Sequence, residues 1–371
     1  MMKKLTVTQP MLPLWEDFLR EIQDLWETHQ LANEGPKHQR LQKALQMYLS
    51  CPPLLLFSHG HQALECAWEA LALEGEVITT PYTFSSTTHA LVRKGLKPVF
   101  CDVCPEDATM DASLIEALIT PDTVAIFPVH VYGHVCDVEA IGRLAQRYHL
   151  KVIYDAAHAF GVEYQNKSIA CYGDITMFSF HATKVFHTLE GGALVCAEDE
   201  VLKRLALLRN FGIEDQEHVV AVGTNAKMNE MQAAMGLCNL NIVDQEMAKR
   251  KVLAEQYERN VRTMQGIDLF RRRSSKHNYA YMPVLVQGTK NRRDAVFTKL
   301  RDEGILVRKY FYPLTSEFAC YHQESYAATP IAKSLSERVL ALPLYGDLTL
   351  DEVDWVCYSL QKALGPNTYG S

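Results

Sequence analysis

Asp174-Ile-Thr-Met-Phe-Ser-Phe-His-Ala-Thr-Lys184, followed six residues later by Glu190-Gly191-Gly192, is the stretch that decides how this chain is read. Ile175, Met177 and Phe178 interleave with Thr176 and Ser179, the pattern of a buried strand that delivers a polar turn to a sheet edge. Lys184 closes that turn. Taken alone it could be a solvated surface cation. A primary amine held at the end of a buried strand can instead condense with an aldehyde, so the surrounding segments must decide.

Upstream, Lys151-Val-Ile-Tyr-Asp155-Ala-Ala-His158-Ala-Phe-Gly161 is a short apolar strand ending in a carboxylate. Asp155 could cap the following helix. Placed at a strand's C-terminal end, it points instead into the crevice where open α/β sheets bind ligands. Nearer the N-terminus, Leu54-Leu-Leu-Phe-Ser58-His59-Gly60-His61-Gln62 is an apolar strand, a glycine turn and a helix start, with Ala63, Leu64, Ala67 and Leu71 on one helix face. It reads as an ordinary strand–helix turn, or as an anion site built from free N–H groups and the helix dipole.

These segments belong to a βα alternation. Strands are expected near 54–57, 76–79, 97–101, 123–128, 151–155, 174–180 and 192–196. Helices are expected near 61–73, 84–94, 111–118, 137–148 and 198–210. The class is therefore α/β, with a mostly parallel central sheet and helices on both faces. Long helices over 228–243 and 244–264 lead into a smaller C-terminal α/β unit with helices near 291–303, 330–340 and 349–363. The division is placed after residue 245, giving 1–245 as the N-terminal arm and large domain and 246–371 as the small domain. The ligand site is expected between them.

At 371 residues and 48% hydrophobic, the chain can bury a large core. Its net charge of −7, with no long basic run, gives no footprint for nucleic acid. An anionic substrate would have to be met by a local patch. Ten cysteines, several in apolar strands, read as reduced core residues of a cytoplasmic protein. No membrane span and no signal-peptide core are read from the sequence. Cys101 and Cys104 have the spacing of half a zinc site without a second pair. His130 and His134 are four apart, but in a strand-to-turn context rather than on a helix. No metal is expected.

The ordered segments resemble the DegT-type nucleotide-sugar aminotransferases, a branch of the fold type I enzymes that use pyridoxal 5'-phosphate (PLP). The match includes Gly35-Pro36, the turn at Gly60, Thr80-Pro-Tyr-Thr-Phe84, Phe100-Cys-Asp102, Pro128-Val-His-Val-Tyr-Gly133, Asp155-Ala-Ala-His158, Ser179 to Lys184, Glu190-Gly-Gly192, Asn225-Ala-Lys-Met and Tyr310-Phe-Tyr-Pro-Leu314. It runs over nearly the whole chain. The resemblance implies that Lys184 carries the cofactor as a Schiff base and that Asp155 pairs with the pyridine nitrogen. Two unit charges about 4 Å apart attract by roughly 4 kcal/mol at an effective dielectric near 20, about three pKa units. His158 would sit by the ring oxygen and Phe84 would stack on the ring. Gly60, His61 and Ser179 would hold the phosphate, joined by Asn225 from the second subunit of a homodimer with shared sites. His181, Arg308 and Tyr312 are candidate substrate contacts, although Arg308 could equally be a surface arginine.

The Phe-His-Ala-Thr-Lys184 and Thr-x-Glu-Gly-Gly192 pattern is similar to members that aminate C-4 of a nucleotide-linked 4-keto-6-deoxy sugar, with dTDP-4-keto-6-deoxy-D-glucose as acceptor and L-glutamate as donor. Amination at C-3 and a non-catalytic PLP-binding regulator are the alternatives. A PLP sugar dehydratase of this fold would carry His in place of Lys184. Three positions depart from the family pattern. His61 stands where a hydroxyl residue is usual, Leu189 where glycine is frequent, and Lys227 where arginine is common. Leu189 lacks glycine's access to positive φ, so a different local turn is expected there.

Overall fold

The structure is a computed structural model that describes residues 4–321 and 326–365. Seven strands form the central sheet: β1 (Leu54–Phe57), β2 (Glu76–Thr79), β3 (Lys97–Phe100), β4 (Thr123–Phe127), β5 (Lys151–Asp155), β6 (Ile175–Ser179) and β7 (Gly192–Cys196). Each lies within a residue or so of its expected position. The spatial order is β1-β7-β6-β5-β4-β2-β3. All ladders are parallel except the two that β7 makes with β1 and β6. Strands such as Leu54–Phe57 and Gly192–Cys196 are buried at every position, because helices cover both faces of the sheet.

Short local rules set the helix boundaries. The helix expected over 111–118 starts with Asp111 accepting from Ser113 N–H and tightens into a 3-10 turn at Glu116–Leu118. Asn229 and Gln232 form a capping box that starts the helix Glu230–Leu240. The next helix, Val243–Val261, is separate, and the division expected after residue 245 falls in its first turn.

The C-terminal part contains an antiparallel sheet of β8 (Ile267–Leu269), β9 (Met282–Val286) and β10 (Val339–Leu342), with β9 in the middle. The two-residue period of these strands serves two cores at once. Met282, Val284, Leu340 and Leu342 point into a cluster with Leu253, Tyr257, Val356 and Leu360. Leu285, Val339 and Ala341 join the main cluster under the large sheet. Leu5–Thr6 pairs in parallel with Ile305–Leu306, so the N-terminal arm also packs on this part. This packing carries the segment Arg308–Tyr312 to the rim of the large sheet. No helix among the described residues is long and apolar enough to cross a membrane.

Candidate active site

Strand direction builds the site. The parallel strands β1, β2, β5 and β6 end on one edge of the sheet, and their continuations carry Gly60, Phe84, Asp155 and Ser179 to that edge. Because β7 runs the other way, it begins there, with Gly192 paired to Phe57 on one side and Ser179 on the other. A cavity of about 480 Å³ opens at this edge and is lined by Gly60, His61, Phe84, Asp155, His158, Ser179, His181 and Lys184. Eight of the eleven residues expected from sequence therefore share one cavity. Arg308 and Tyr312 line an adjoining groove, and Asn225 lines neither. Asn225 is exposed on this chain, bridged to Asn210.

Lys184 is half-buried, and burial lowers its pKa from the ordinary lysine value to about 8, against the opposing pull of Asp155 and Tyr310. An amine poised there is partly neutral near physiological pH and able to exchange protons. Asp155 is 5% exposed. Burial raises its pKa, while the Ala157 N–H at 3.0 Å, the Thr87 hydroxyl at 2.8 Å and the charge of Lys184 act to keep it ionised. His158 is kept neutral by burial and then by the charge of Lys184. Its Nδ1 accepts from Tyr132 N–H at 3.1 Å, which leaves the ring proton on Nε2. The ring is clamped by Tyr281, at 4.8 Å between centroids, and by a parallel Phe311 at 5.8 Å.

The helix Gly60–Leu71 starts on the cavity with no side chain capping its first N–H groups. Glycines make room around it. A Cβ on Gly60 would lie 3.0 Å from Ser179 Cβ, and one on Gly192 would lie 2.6 Å from Gly60 Cα. Gln232 ties the floor together, its Nε2 donating to Ser58 O at 3.3 Å and to Glu190 O at 2.8 Å. The His61 ring is turned aside: Nδ1 lies 2.8 Å from Ser86 Oγ and Nε2 3.4 Å from Glu65 Oε1. What His61 offers an anion is therefore its backbone N–H rather than its imidazole. An uncapped helix start in a glycine cradle, a buried carboxylate and a reactive amine fit a phosphorylated, nitrogen-containing aromatic aldehyde such as PLP.

The different turn expected at Leu189 is not found. Leu189 adopts φ 67°, the left-handed conformation glycine would supply, with its side chain 41% exposed. His130 and His134 have separate partners, Cys136 N–H and Asp107 O, rather than a shared site. The sequence reading missed Thr87, Tyr281, Tyr310 and Phe311. Thr87 had a signal in the run Ser85-Ser-Thr-Thr-His89, which is polar at the start of a helix next to the site. The aromatic residues had little signal, because tertiary packing alone brings them in.

The chain matches the DegT/DnrJ/EryC1/StrS aminotransferase family over residues 14–361. It belongs to that family. A dTDP-4-amino-4,6-dideoxy-D-glucose transaminase of Shigella dysenteriae is 41% identical over 365 residues, covering 98% of this chain and 100% of the relative. Among solved structures, DesI, crystallised in the presence of its TDP-sugar product, superimposes with a TM-score of 0.93 at 30% identity, covering 97% of this chain and 93% of DesI. NtdA of Bacillus subtilis, solved with bound cofactor PMP, gives 0.88 at 29% identity over 95% of this chain and 82% of its own.

Proposed function

We propose that this protein is a PLP-dependent aminotransferase that converts dTDP-4-keto-6-deoxy-D-glucose to the 4-amino sugar, with L-glutamate as donor. The observation that carries this reading is the Lys184–Asp155 cavity in a chain 41% identical, end to end, to a transaminase named for that product.

Bound in the cavity, PLP supplies an aldehyde that takes up the amino group and an electron-poor ring that stores the electron pair released at the donor's α-carbon. The protein's residues do the rest. Lys184 would hold the cofactor through its Nζ, and the same Nζ, as a free amine, would take a proton from the donor's α-carbon and deliver one to the acceptor carbon. A lowered pKa suits it to both transfers. Asp155, held in place by Thr87 and Ala157, would keep the pyridine nitrogen protonated. His158 would present its Nε2–H to the ring oxygen, and Phe84 would cover one face. The helix start at Gly60 and the hydroxyl of Ser179 would take the phosphate. His181 is fixed for work at the cavity wall by Thr183, whose Oγ1 lies 2.8 Å from its Nδ1.

The same reading makes the working unit a homodimer. Asn225 would reach the phosphate of the partner's site. In support, it is exposed and follows a loop that shows Phe211, Val219, Val220 and Val222 to solvent, Val222 at 90%. The proposed place of work is the cytoplasm, in keeping with a chain in which no helix among the described residues is long and apolar enough to cross a membrane.

The test is incubation with L-glutamate and either dTDP-4-keto-6-deoxy-D-glucose or its 3-keto isomer, with NMR of the product. Amination at C-4 is expected, with the isomer largely unreacted, since displacing the acceptor carbon by about 1 Å can cost on the order of 100-fold. Equal or faster amination of the 3-keto isomer would move the assignment to C-3.

A further inference from the structure

We propose that a second cavity, separated from the cofactor site by Tyr132, binds a nucleoside monophosphate, with Arg262 and Arg271 taking its phosphate. The cavity has a volume of about 490 Å³, within the range of roughly 300–1,000 Å³ in which proteins hold small ligands. It lies between the end of the helix Val243–Val261, strand β8 and the start of β9, and it shares no wall residue with the cavity around Lys184 or with the groove beside that cavity. Tyr132 is fully buried and packs against Phe270 of this wall, at 5.8 Å between ring centroids, and against Phe311 of the catalytic cavity, at 6.0 Å. A molecule seated here is therefore a different molecule from the one that faces Lys184.

Charge points to an anion. The chain carries a net charge of −7, so an anionic ligand needs a local cationic patch. The run Arg271-Arg272-Arg273 supplies one, and its three members are spent differently. Arg272 pairs with Glu258 at 2.5 Å and Arg273 with Asp107 at 2.7 Å. Arg271 is exposed on the cavity wall, its N–H anchored to Glu106 O at 2.7 Å, and among the described residues its side chain makes neither an ion pair nor a hydrogen bond. Arg262, on the same wall, is likewise exposed and unpaired among the described residues, its N–H held by Glu258 O at 3.1 Å. Two uncompensated guanidinium forks on one wall match the oxygens of a phosphate monoester.

The remaining wall suits a base and a sugar. Val261, Ile267 and Met282 supply apolar surface, and Phe270 and His134 each contribute a ring, 6.0 Å apart between centroids. Flat faces of this kind take nucleobases by stacking. Burial keeps His134 neutral, and its Nδ1–H donates to Asp107 O at 2.8 Å, so it adds a flat face and no charge. Asp268 Oδ1 accepts from the neutral Gln287 at 2.8 Å, which leaves the carboxylate capacity to accept from a sugar hydroxyl. Inorganic phosphate would use the two arginines and leave these surfaces uncovered, whereas a nucleoside monophosphate uses both.

The test is calorimetric titration of the PLP-loaded protein with TMP and, separately, with inorganic phosphate, for wild type, Arg262→Gln, Arg271→Gln and the double variant. Melting temperature and cofactor absorbance serve as checks on folding, and kcat and KM for the sugar nucleotide are measured in parallel. Each single change is expected to weaken one TMP site per chain by about tenfold and the double change by about 100-fold, the loss expected for charge-assisted hydrogen bonds. Inorganic phosphate should bind that site at least about tenfold more weakly than TMP, because it gains nothing from the rings, and kcat and KM should stay at their wild-type values. Unchanged TMP affinity in the folded double variant, or no TMP site in the wild type, overturns the proposal. Inorganic phosphate binding as tightly as TMP overturns it too, since the site would then hold an anion only. A rise in the KM of the sugar nucleotide that matches the loss of TMP places the arginines on the substrate's path and overturns a separate site. Binding is read without turnover, so this site stands or falls apart from the aminotransferase reading.

Discussion

Replacing Gly192 by alanine tests whether the phosphate cradle is set by backbone packing. The added Cβ would lie 2.6 Å from Gly60 Cα, 2.7 Å from Gly60 N and 3.0 Å from Phe178 O. All three neighbours are backbone, so no side chain can swing away. Restoring an ordinary contact of 3.4 Å requires the start of the helix Gly60–Leu71 to move by about 0.8 Å. Such overpacking costs about 1–3 kcal/mol of stability. A shift near 1 Å at a positioned group costs on the order of 100-fold, so PLP affinity should fall by about 10- to 100-fold. The assay is equilibrium titration of apoprotein with PLP, together with thermal melting. Gly142 is the control: it lies inside the helix Val138–Tyr148 with nothing within 4 Å of a built Cβ. Gly142→Ala should raise stability by about 0.5–1 kcal/mol and leave PLP binding alone. Wild-type affinity and melting in Gly192→Ala would refute the argument. A lower melting temperature with unchanged affinity would show that the contact serves folding but not the cofactor.

Three further outcomes follow from individual residues. Capture of PLP by the apoprotein needs the neutral amine of Lys184, whose pKa is lowered to about 8. The capture rate should therefore rise about tenfold per pH unit below 8 and level off above it; a rise continuing past pH 10 would mean an ordinary lysine, and Lys184→Ala should leave borohydride nothing to fix. Thr87→Val removes one of the bonds that lower the pKa of Asp155 against burial. That pKa then rises further, so the acid limb of the activity profile should shift to higher pH, and an unshifted limb would show that the bond does not tune the carboxylate. Mixing inactive Lys184→Ala with an impaired Asn225→Ala variant should restore activity, because a hybrid dimer contains one unaltered site; no recovery despite measured subunit exchange would exclude the shared-site arrangement.

Strands and cofactor-edge residues were legible because local signals coincide with the fold. The runs Leu54–Phe57, Lys151–Asp155 and Gly192–Cys196 are short, apolar and bounded by turns, and each becomes a strand with those limits. Lys184, Asp155 and Gly60 were found because strand ends deliver them to one edge. Tyr281 and Phe311 were not, since they arrive from the C-terminal part through the two-faced packing of β9 and β10, a long-range fact with no sequence period of its own. Arg308 and Tyr312 were found as residues but not as neighbours of a groove, because a groove is a property of several distant segments.

The departures from the family pattern show where local rules yield. Glycine is favoured at positive φ because a Cβ there costs roughly 1–2 kcal/mol, which led to the expectation of a changed turn at Leu189. That cost is small beside what holds the turn. Thr188 N–H donates to Phe180 O at 2.9 Å, Thr188 Oγ1 donates to Glu190 O at 2.7 Å, and Leu189 N–H donates to His187 Nδ1 at 3.2 Å. Gln232 adds its bond to Glu190 O from the helix behind. Each such bond contributes about 0.5–1.5 kcal/mol, so together they outweigh the strain, and the exposed leucine side chain meets no wall that would expel it. At His61 the outcome is different in kind. The backbone keeps its place at the helix start, and the bulky ring is drawn off by Ser86 and Glu65. Both positions preserve the backbone that faces the phosphate and let the side chain vary. This is what a cradle made of N–H groups permits, since its chemistry does not depend on which side chains it carries.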